Sequence, residues 1–400
     1  MRISAARLRG KFLRDKYNAI LFRKGRERGI YIVGGYVRDT LRGVRSQDRD
    51  FVSTGDLMLF VHEIRDIFGG AIVKFKKGGM VRLALGNGMT FDFASPMGTM
   101  AEDLSGRDFT VNAIAWTPKE GIVDMHHGVE DLSNKRIRMI SEDNLISDPL
   151  RLLRAYRFAA ELGGSIEKGT RDAIKALHNR IKDVSAERIT LELFHLLNSK
   201  RSSRYLRAAL RDGVLAEIIS LSDKVLDGNI RAICKLEMRL LEDKASGLKA
   251  LLNRIFSQNL TYKGLLCLEL LLRSSVAGVQ RIRMSSNIVE RVELSSRGMA
   301  ELRRWRSGSR GKLFDIFLRL KEAVPDALII SGRLYLLKEY SKFKKIIEGG
   351  FFGGDEIMKI TGVKAGPVIG KSVLALRRAE FEGRVKSREE AVDFVRRSVI

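Results

Sequence analysis

YIVGGYVRDTLRGVRSQDRD, residues Tyr31–Asp50, is the stretch whose reading decides the fold. The apolar run Ile30–Val33 ends in Gly34-Gly35, which predicts a strand turning tightly into a helix. Arg38 and Asp39 fall in the first turn of that helix. Asp48 and Asp50 follow at i and i+2, where the chain turns apolar again at Phe51-Val52. On a strand, alternate side chains share a face, so both carboxylates point the same way. Two such charges need a cation, and oxygen ligands suit Mg²⁺. The glycines let backbone approach a phosphate closely, and the helix N-terminus adds N–H donors. Each feature also has a plain reading. A D-x-D occurs in surface loops, a glycine pair in ordinary turns, and Arg38 could simply pair with Asp39. Taken together they point to metal-dependent chemistry on a nucleoside triphosphate, performed by the first domain.

Outward from this stretch, Thr90-Phe91-Asp92-Phe93-Ala94 sets a lone acid between two phenylalanines. The alternation predicts Asp92 on the polar face of a neighbouring strand. Three carboxylates on adjacent strands can hold two metals, one lowering the pKa of an attacking hydroxyl and one steadying a leaving pyrophosphate. Phe51–Val52, Ala71–Phe75, Val81–Leu85, Met89–Ala94 and Gly121–Asp124 read as further strands, with glycine turns at Gly78-Gly79 and Gly86-Asn87-Gly88. After about Ser141 the pattern changes, and from Pro149 it is nearly all helical, interrupted only at Pro325 and Pro367. Gly349–Gly354 (GGFFGG) predicts a break before a short C-terminal helical segment. No linker of low complexity separates the parts, so the domains are expected to stack in an elongated series.

The chain has 400 residues, too many for one core, and predicts two to four domains. Lysine and arginine number 73 against 48 aspartates and glutamates, a net charge of +25 spread along the whole length. Such an excess needs a polyanionic partner, and its distribution favours a long surface that follows folded nucleic acid. No apolar run is long enough to cross a membrane. Leu8, Phe12, Leu13, Tyr17, Ile20 and Leu21 fall at helical spacing, so the basic N-terminus reads as a packed amphipathic helix and not as a signal peptide. Two cysteines, Cys234 and Cys267, can build neither a disulfide framework nor a four-cysteine zinc site, and fit the core of a cytoplasmic protein.

GGYVRD followed by DRD resembles the head-domain signature of the class II tRNA nucleotidyltransferase and bacterial poly(A) polymerase family. Gly106–Ala113 (GRDFTVNA) is similar to its R-R-D-F-T-x-N-A element. Ile122-Val123-Asp124 with Gly128, Asp131 and Leu132 is similar to a second. Ser147–Phe158 (SDPLRLLRAYRF) resembles its E-D-P-x-R-x-L-R-A-x-R-F helix, and Glu187-Arg188 with Glu192 the next helix. GDEIMKITGVKAGPVIGKSV from Gly354, with Glu382-Gly383 after it, resembles its tail. The likeness is dense to about Leu197, thin through the middle, and returns at Gly354.

This resemblance implies an α+β fold: a DNA-polymerase-β-like nucleotidyltransferase head with a mixed sheet and helices. All-α neck, body and tail domains would follow in a seahorse-like arrangement. The expected division is a catalytic head at 1–138, a base-reading neck at 139–200, a tRNA-binding body at 201–310 and a tRNA-binding tail at 311–400. Asp48, Asp50 and Asp92 would be the catalytic and Mg²⁺-binding residues of a two-metal mechanism. Gly34, Gly35, Arg38, Arg107, Asp108, Asn112, Arg154 and Arg157 would hold the phosphates and ribose. The partners would be tRNA with an immature 3′ end and CTP or ATP, with no DNA and no nucleic-acid template.

In the family the nucleotide is chosen by an Asp and an Arg, matched here by Asp148 and Arg151. They stand at i and i+3 near a helix start. A carboxylate accepts from the exocyclic amine that cytosine and adenine share, and arginine donates to the ring acceptors beside it. Uracil and guanine would set a carbonyl oxygen against the carboxylate, a buried mismatch of ~1–3 kcal/mol. Asp148 is equally a candidate N-cap, with Pro149 suited to the first helical position. Arg154 and Arg157 continue the same face, toward phosphate or toward solvent.

Three departures qualify the match. Gly106 stands where the family has an arginine, and Ser147 where it has a glutamate, so a prop of the base-reading pair is missing or moved. Between Phe93 and Asp103 only ASPMGTMAE remains. Family members that complete CCA carry a longer, arginine-containing flexible loop here, and those that add only two cytidines have it shortened or lost. The expected activity is therefore addition of CC to tRNA 3′ ends. The alternatives are a complete CCA-adding enzyme, an A-adding enzyme or poly(A) polymerase, and a non-catalytic RNA-binding protein on a decayed scaffold.

Overall fold

The computed structural model describes residues 5–46, 48–75, 79–242, 247–273, 281–305 and 308–398. They divide into two compact units, 1–219 and 220–400. The first opens with α1 (Ala5–Leu13) and α2 (Lys16–Lys24). A single amphipathic helix was expected here. The structure breaks it at Asp15, whose carboxylate accepts from the Tyr17 and Asn18 amides and so starts α2 afresh. There follow β1 (Ile30–Val33), α3 (Gly35–Arg42), β2 (Asp48–Ser53), α4 (Leu57–Phe68), β3 (Ala71–Lys74), β4 (Val81–Ala84) and β5 (Thr90–Ala94). Then come α5 (Met100–Ser105), β6 (Ala115–Thr117), β7 (Gly121–Val123), α6 (Gly128–Ser133) and the short β8 (Arg136–Ile137). The turn read at Gly78-Gly79 lies partly outside the described residues.

Strands β1–β7 form one mixed sheet in the order β3-β4-β5-β2-β1-β6-β7. The β2–β5 pair is parallel and the other neighbours are antiparallel. One face carries Phe51, Phe91 and Phe93 into a core with Phe12, Phe60 and Trp116, all of them buried. Burying each such ring contributes roughly 1.5–3 kcal/mol. Because side chains alternate, that burial forces Asp50 and Asp92 to the other face. Asp48 follows Asp50, while Arg49 between them goes inward. It pairs there with Asp15 at 2.7 Å and lies over the rings of Tyr17, Tyr36 and Phe91.

The sheet hands over to helices: α7 (Glu142–Ser147), α8 (Leu150–Leu162), α9 (Lys168–Leu177), α10 (Ala186–Asn198), α11 (Ser202–Arg211) and α12 (Val214–Ile218). Between α8 and α9, β9 (Ser165–Ile166) pairs in parallel with β8. Buried Asp212, at the end of α11, accepts from Tyr156 and Arg171 and ties α8, α9 and α11 together.

The second unit runs through α13 (Asp223–Glu242), α14 (Leu248–Leu252), a hairpin of β10 (Ile255–Ser257) and β11 (Leu260–Thr261), and α15 (Tyr262–Leu272). It continues with α16 (Ser286–Arg304), α17 (Arg310–Leu320), α18 (Val324–Ser331), α19 (Leu337–Gly349), α20 (Gly354–Thr361), α21 (Pro367–Glu382) and α22 (Arg388–Ser398). Pro325 and Pro367 were expected to interrupt the helical region. Instead they sit in the first turns of α18 and α21, where a missing N–H costs nothing. The break read at GGFFGG falls between α19 and α20, as expected.

Candidate active site

The turn at Gly34-Gly35 has a specific backbone need. Gly34 adopts φ +67°, ψ −130°, and a Cβ there would stand 2.8 Å from Arg107 Nη1. Its amide donates to the Ile114 carbonyl across the sheet. Gly35 begins α3, and an added Cβ would find only Arg38 Nη2, at 3.9 Å. Gly34 is therefore required by conformation, and Gly35 leaves space beside the helix N-terminus.

Asp48 and Asp50 lie on one edge of a cleft of about 750 Å³. The cleft gathers every sequence-predicted site residue except Asp92: both glycines, the two β2 aspartates, Arg38, Arg107, Asp108 and Asn112, and Asp148, Arg151, Arg154 and Arg157 of the helical part. Asp92 lies directly beside them, as Asp50's register partner on β5. Both its oxygens are engaged by Arg82, which stands opposite on β4.

Burial, then the charge of Asp92, with Asp48 adding to it, pushes the Asp50 carboxyl up to about 6; Arg107 and Arg82 oppose this. Crowded, half-desolvated carboxylates of this kind are what a divalent cation relieves, and the donors are all oxygen, which suits Mg²⁺. Among the described residues, however, no group of three or more His, Cys, Asp or Glu side chains is drawn together closely enough to hold a metal. Asp48 and Asp50 fit the ion as they stand. Asp92 fits it only when released from Arg82.

The opposite wall is a closed circuit of ion pairs and hydrogen bonds. Asn112 Nδ2 donates to Asp108 at 2.9 Å, and Asp108 accepts from Arg154 Nε at 2.8 Å. Arg154 reaches Glu192 at 3.2 Å, and Glu192 accepts from Arg157 at 2.9 Å. Arg157 pairs with Glu161 at 2.8 Å, Glu161 approaches Arg38 at 3.6 Å, and Arg38 returns to Asn112 Oδ1 at 2.7 Å. The circuit joins α3, the turn after α5, α8 and α10. The guanidinium groups of Arg38, Arg154 and Arg157 all lie 5.0–5.1 Å from the Phe158 ring, a cationic cluster on an aromatic floor. Asp108 is fully buried. Burial raises its pKa, but Arg154, Asn112 and the Phe109 amide outweigh that and hold it below the usual carboxylate range. It thus anchors Arg154 within the wall.

Asp148 and Arg151, the pair expected to read the base, each take other partners. Pro149 already has helical dihedrals, φ −64° and ψ −12°, and Asp148 before it is extended. The Asp148 carbonyl accepts from the Arg151 amide at 3.0 Å, but its Oδ1 meets the Leu150 amide only at a long 3.4 Å, so its side chain caps α8 weakly. Its Oδ2 accepts from Arg188 at 2.8 Å. Arg151 donates to the backbone carbonyls of Gly106 and Asn144 at 2.9 and 3.1 Å. Ser147 donates to the same Asn144 carbonyl. Main-chain carbonyls of Gly106 and Asn144 thus hold the Arg151 guanidinium.

Sequence reasoning assigned no role to Glu161, Glu192, Arg188 or Arg82. The signal for Glu161 was present, since it continues the Arg151, Arg154, Arg157 face of α8 at helical spacing. Arg188 and Glu192 were matched only as part of the family's next helix, both lying on α10, and no local spacing announces Arg82 on β4. The five residues Ser95–Thr99 alone join β5 to α5. The turn is closed by a capping box in which Thr99 and Glu102 bond each other's backbone amides.

A mixed sheet bearing paired carboxylates, a glycine turn at a helix N-terminus and a facing wall of arginines define a domain for transfer of a nucleotide from its triphosphate. The comparisons agree. A poly A polymerase head domain model matches residues 87–138, and a model described as the probable RNA and SrmB-binding site of polymerase A matches residues 164–224. The CC-adding tRNA nucleotidyltransferase of Synechocystis sp. is 30% identical over 387 residues, covering 91% of this chain and 92% of its own length. That of Thermus thermophilus is 31% identical over 408 residues, covering 91% and 92%. The solved Thermotoga maritima CCA-adding enzyme complexed with tRNA shares the fold over 100% of both chains, with a TM-score of 0.77 at 21% identity. The chain belongs to the family of tRNA nucleotidyltransferases and bacterial poly(A) polymerases.

Proposed function

We propose that the protein adds two cytidines from CTP to the 3′ end of immature tRNA, releasing pyrophosphate at each step, and then stops. The observation that carries this reading is the short, capped turn at Ser95–Thr99. It leaves no length for an extended flexible loop, and it holds no arginine. The full-length relatives described above are named for CC addition, which supports the same reading.

Asp48 and Asp50, with Asp92 on release from Arg82, would hold Mg²⁺ where the tRNA hydroxyl meets the α-phosphate. The chemistry the metal supplies when bound is easier deprotonation of that hydroxyl and relief of charge on pyrophosphate. The arginine wall orients the triphosphate, and Gly35 with the start of α3 lets a phosphate approach backbone N–H groups. Asp148 keeps one oxygen for the exocyclic amine of cytosine while Arg188 holds the other. Arg151, braced by two carbonyls, presents its remaining N–H groups to the ring.

We assign catalysis to 1–138, base recognition to 139–200, and tRNA binding to 201–310 and 311–400. The end of the head-domain match at 138 supports the first boundary. The net charge of +25 suits the polyanion these parts would hold. Two free cysteines and no described helix able to cross a membrane fit a cytoplasmic enzyme. The test is to incubate tRNA lacking CCA with purified protein and each NTP. Two added cytidines with CTP alone, and nothing further with ATP, is the expected result. Efficient completion of CCA with CTP plus ATP would overturn CC-only addition, and ATP-only polymerisation on unstructured RNA would point to a poly(A) polymerase.

A further inference from the structure

The ion pair between Arg82 and Asp92 occupies a carboxylate which the chemistry above needs. Antiparallel pairing of β4 and β5 sets the two residues opposite each other, and parallel pairing of β5 and β2 sets Asp50 on the other side of Asp92. Arg82, Asp92 and Asp50 therefore form one row across the sheet. Arg82 Nε donates to one Asp92 oxygen and Nη2 to the other, both at 2.7 Å. This side-on geometry is the strong form of the pair and leaves neither oxygen idle.

The partners differ in access. The Asp92 side chain is 14% exposed and that of Arg82 39%. The cation thus lies on the solvent side and can withdraw without crossing the core. The exposed Phe75 ring already lies 5.5 Å from the guanidinium in the paired state, so an aromatic face adjoins Arg82 on its solvent side.

We propose that Arg82 is the built-in counter-cation of the third carboxylate, competing with divalent metal for Asp92, so that metal uptake and withdrawal of Arg82 are a single exchange. This rests on the assignment of Asp92 as a metal ligand. In the metal-free protein Arg82 offsets the repulsion between Asp92 and Asp50 that would otherwise strain the β2–β5 pairing. Its departure is a cost subtracted from metal affinity.

Mn²⁺ binding to the full-length protein, followed by the EPR signal of the free ion with neither nucleotide nor RNA present, tests this. Arg82→Gln is expected to bind Mn²⁺ about tenfold tighter than the parent. Arg82→Lys is expected to fall between, because an ammonium pairs as a point charge and not as a fork. Asp92→Asn is expected to weaken binding. Parent-like or weaker Mn²⁺ affinity in a folded Arg82→Gln, or in Arg82→Lys should the glutamine variant fail to fold, overturns the exchange. If Asp92→Asn weakens binding but neither Arg82 variant tightens it, only the role of Arg82 falls. If Asp92→Asn binds as the parent does, the ligand assignment falls and this proposal with it.

Discussion

Asp148 accepts a hydrogen bond from Arg188, forty residues further along the chain, and none from Arg151, one helical turn away. The two groups expected to read the base are thus held apart by separate supports. Each keeps hydrogen-bonding capacity that a mutual ion pair would consume.

Nucleotide choice should depend on that separation. Removing the Asp148 acceptor (Asp148→Ala) is expected to lower kcat/KM for CTP by about ten- to a hundred-fold, the cost of a buried donor left unpaired. Arg188→Ala is expected to spare CTP use but to raise UTP incorporation by about tenfold, because Asp148 loses the contact that orients it. Steady-state kinetics with CTP and UTP on one tRNA measure both effects.

Asp50 predicts an unusual pH dependence. Its carboxyl sits near 6 through burial, then Asp92 and Asp48, against an ordinary 3.8. Between those values the folded protein binds more protons than the unfolded chain. The stability tied to this group is therefore present at low pH and lost as pH rises through about 6. Asp50→Asn cannot ionise and avoids the loss. Without divalent metal it is expected to exceed the parent by about 1–3 kcal/mol near pH 8 and to match it near pH 4. The same variant should be inactive. Denaturant melts at the two pH values provide the check.

The buried end of the arginine wall carries the opposite sign. Asp108 lies below the ordinary range despite its burial because Arg154, Asn112 and the Phe109 amide hold its charge. Its contribution to stability is present above the unfolded pKa and lost as pH falls through the folded one. Arg154→Ala leaves that carboxylate buried without its cation and is expected to cost about 3–5 kcal/mol. Asp108→Asn added to Arg154→Met should restore much of the loss but not CTP binding. Thermal melts and CTP titration separate the two effects.

The glycine pair should divide by role. Gly34→Ala places a Cβ at positive φ and against Arg107, and is expected to destabilise the protein by about 1–3 kcal/mol. Gly35→Ala meets no clash and sits at a helix start, so its stability should stay within about 0.5 kcal/mol of the parent. Its KM for CTP should rise if a phosphate approaches there. Melting temperature and KM, measured on both variants, make the comparison.

The head was legible in the sequence because its determinants are local. Alternation of Phe91, Asp92 and Phe93 assigns faces on a strand, Gly34-Gly35 marks a turn, and Arg151, Arg154 and Arg157 share a helix face at three-residue steps. Those signals depend on backbone periodicity and short-range sterics, which a one-dimensional string records directly. They placed six of the seven strands of the main sheet, with β2 starting three residues earlier than read, and named most of the cleft; β6 (Ala115–Thr117) and the short pairs β8–β9 and β10–β11 were missed. The partners of those residues were not legible. Arg82 closing on Asp92, Arg154 on Asp108 46 residues away, and Arg188 on Asp148 40 away each depend on how separate elements dock. A charged side chain in a sequence with 73 cations has many possible partners, and only packing selects one. By itself, then, the sequence determined the sheet face, the glycine turn and the kind of chemistry. The tertiary structure decided which carboxylates are held by arginine, as Asp92 is by Arg82 and Asp108 by Arg154, because Coulomb attraction and hydrogen bonding act over ångströms in space, whatever the separation along the chain.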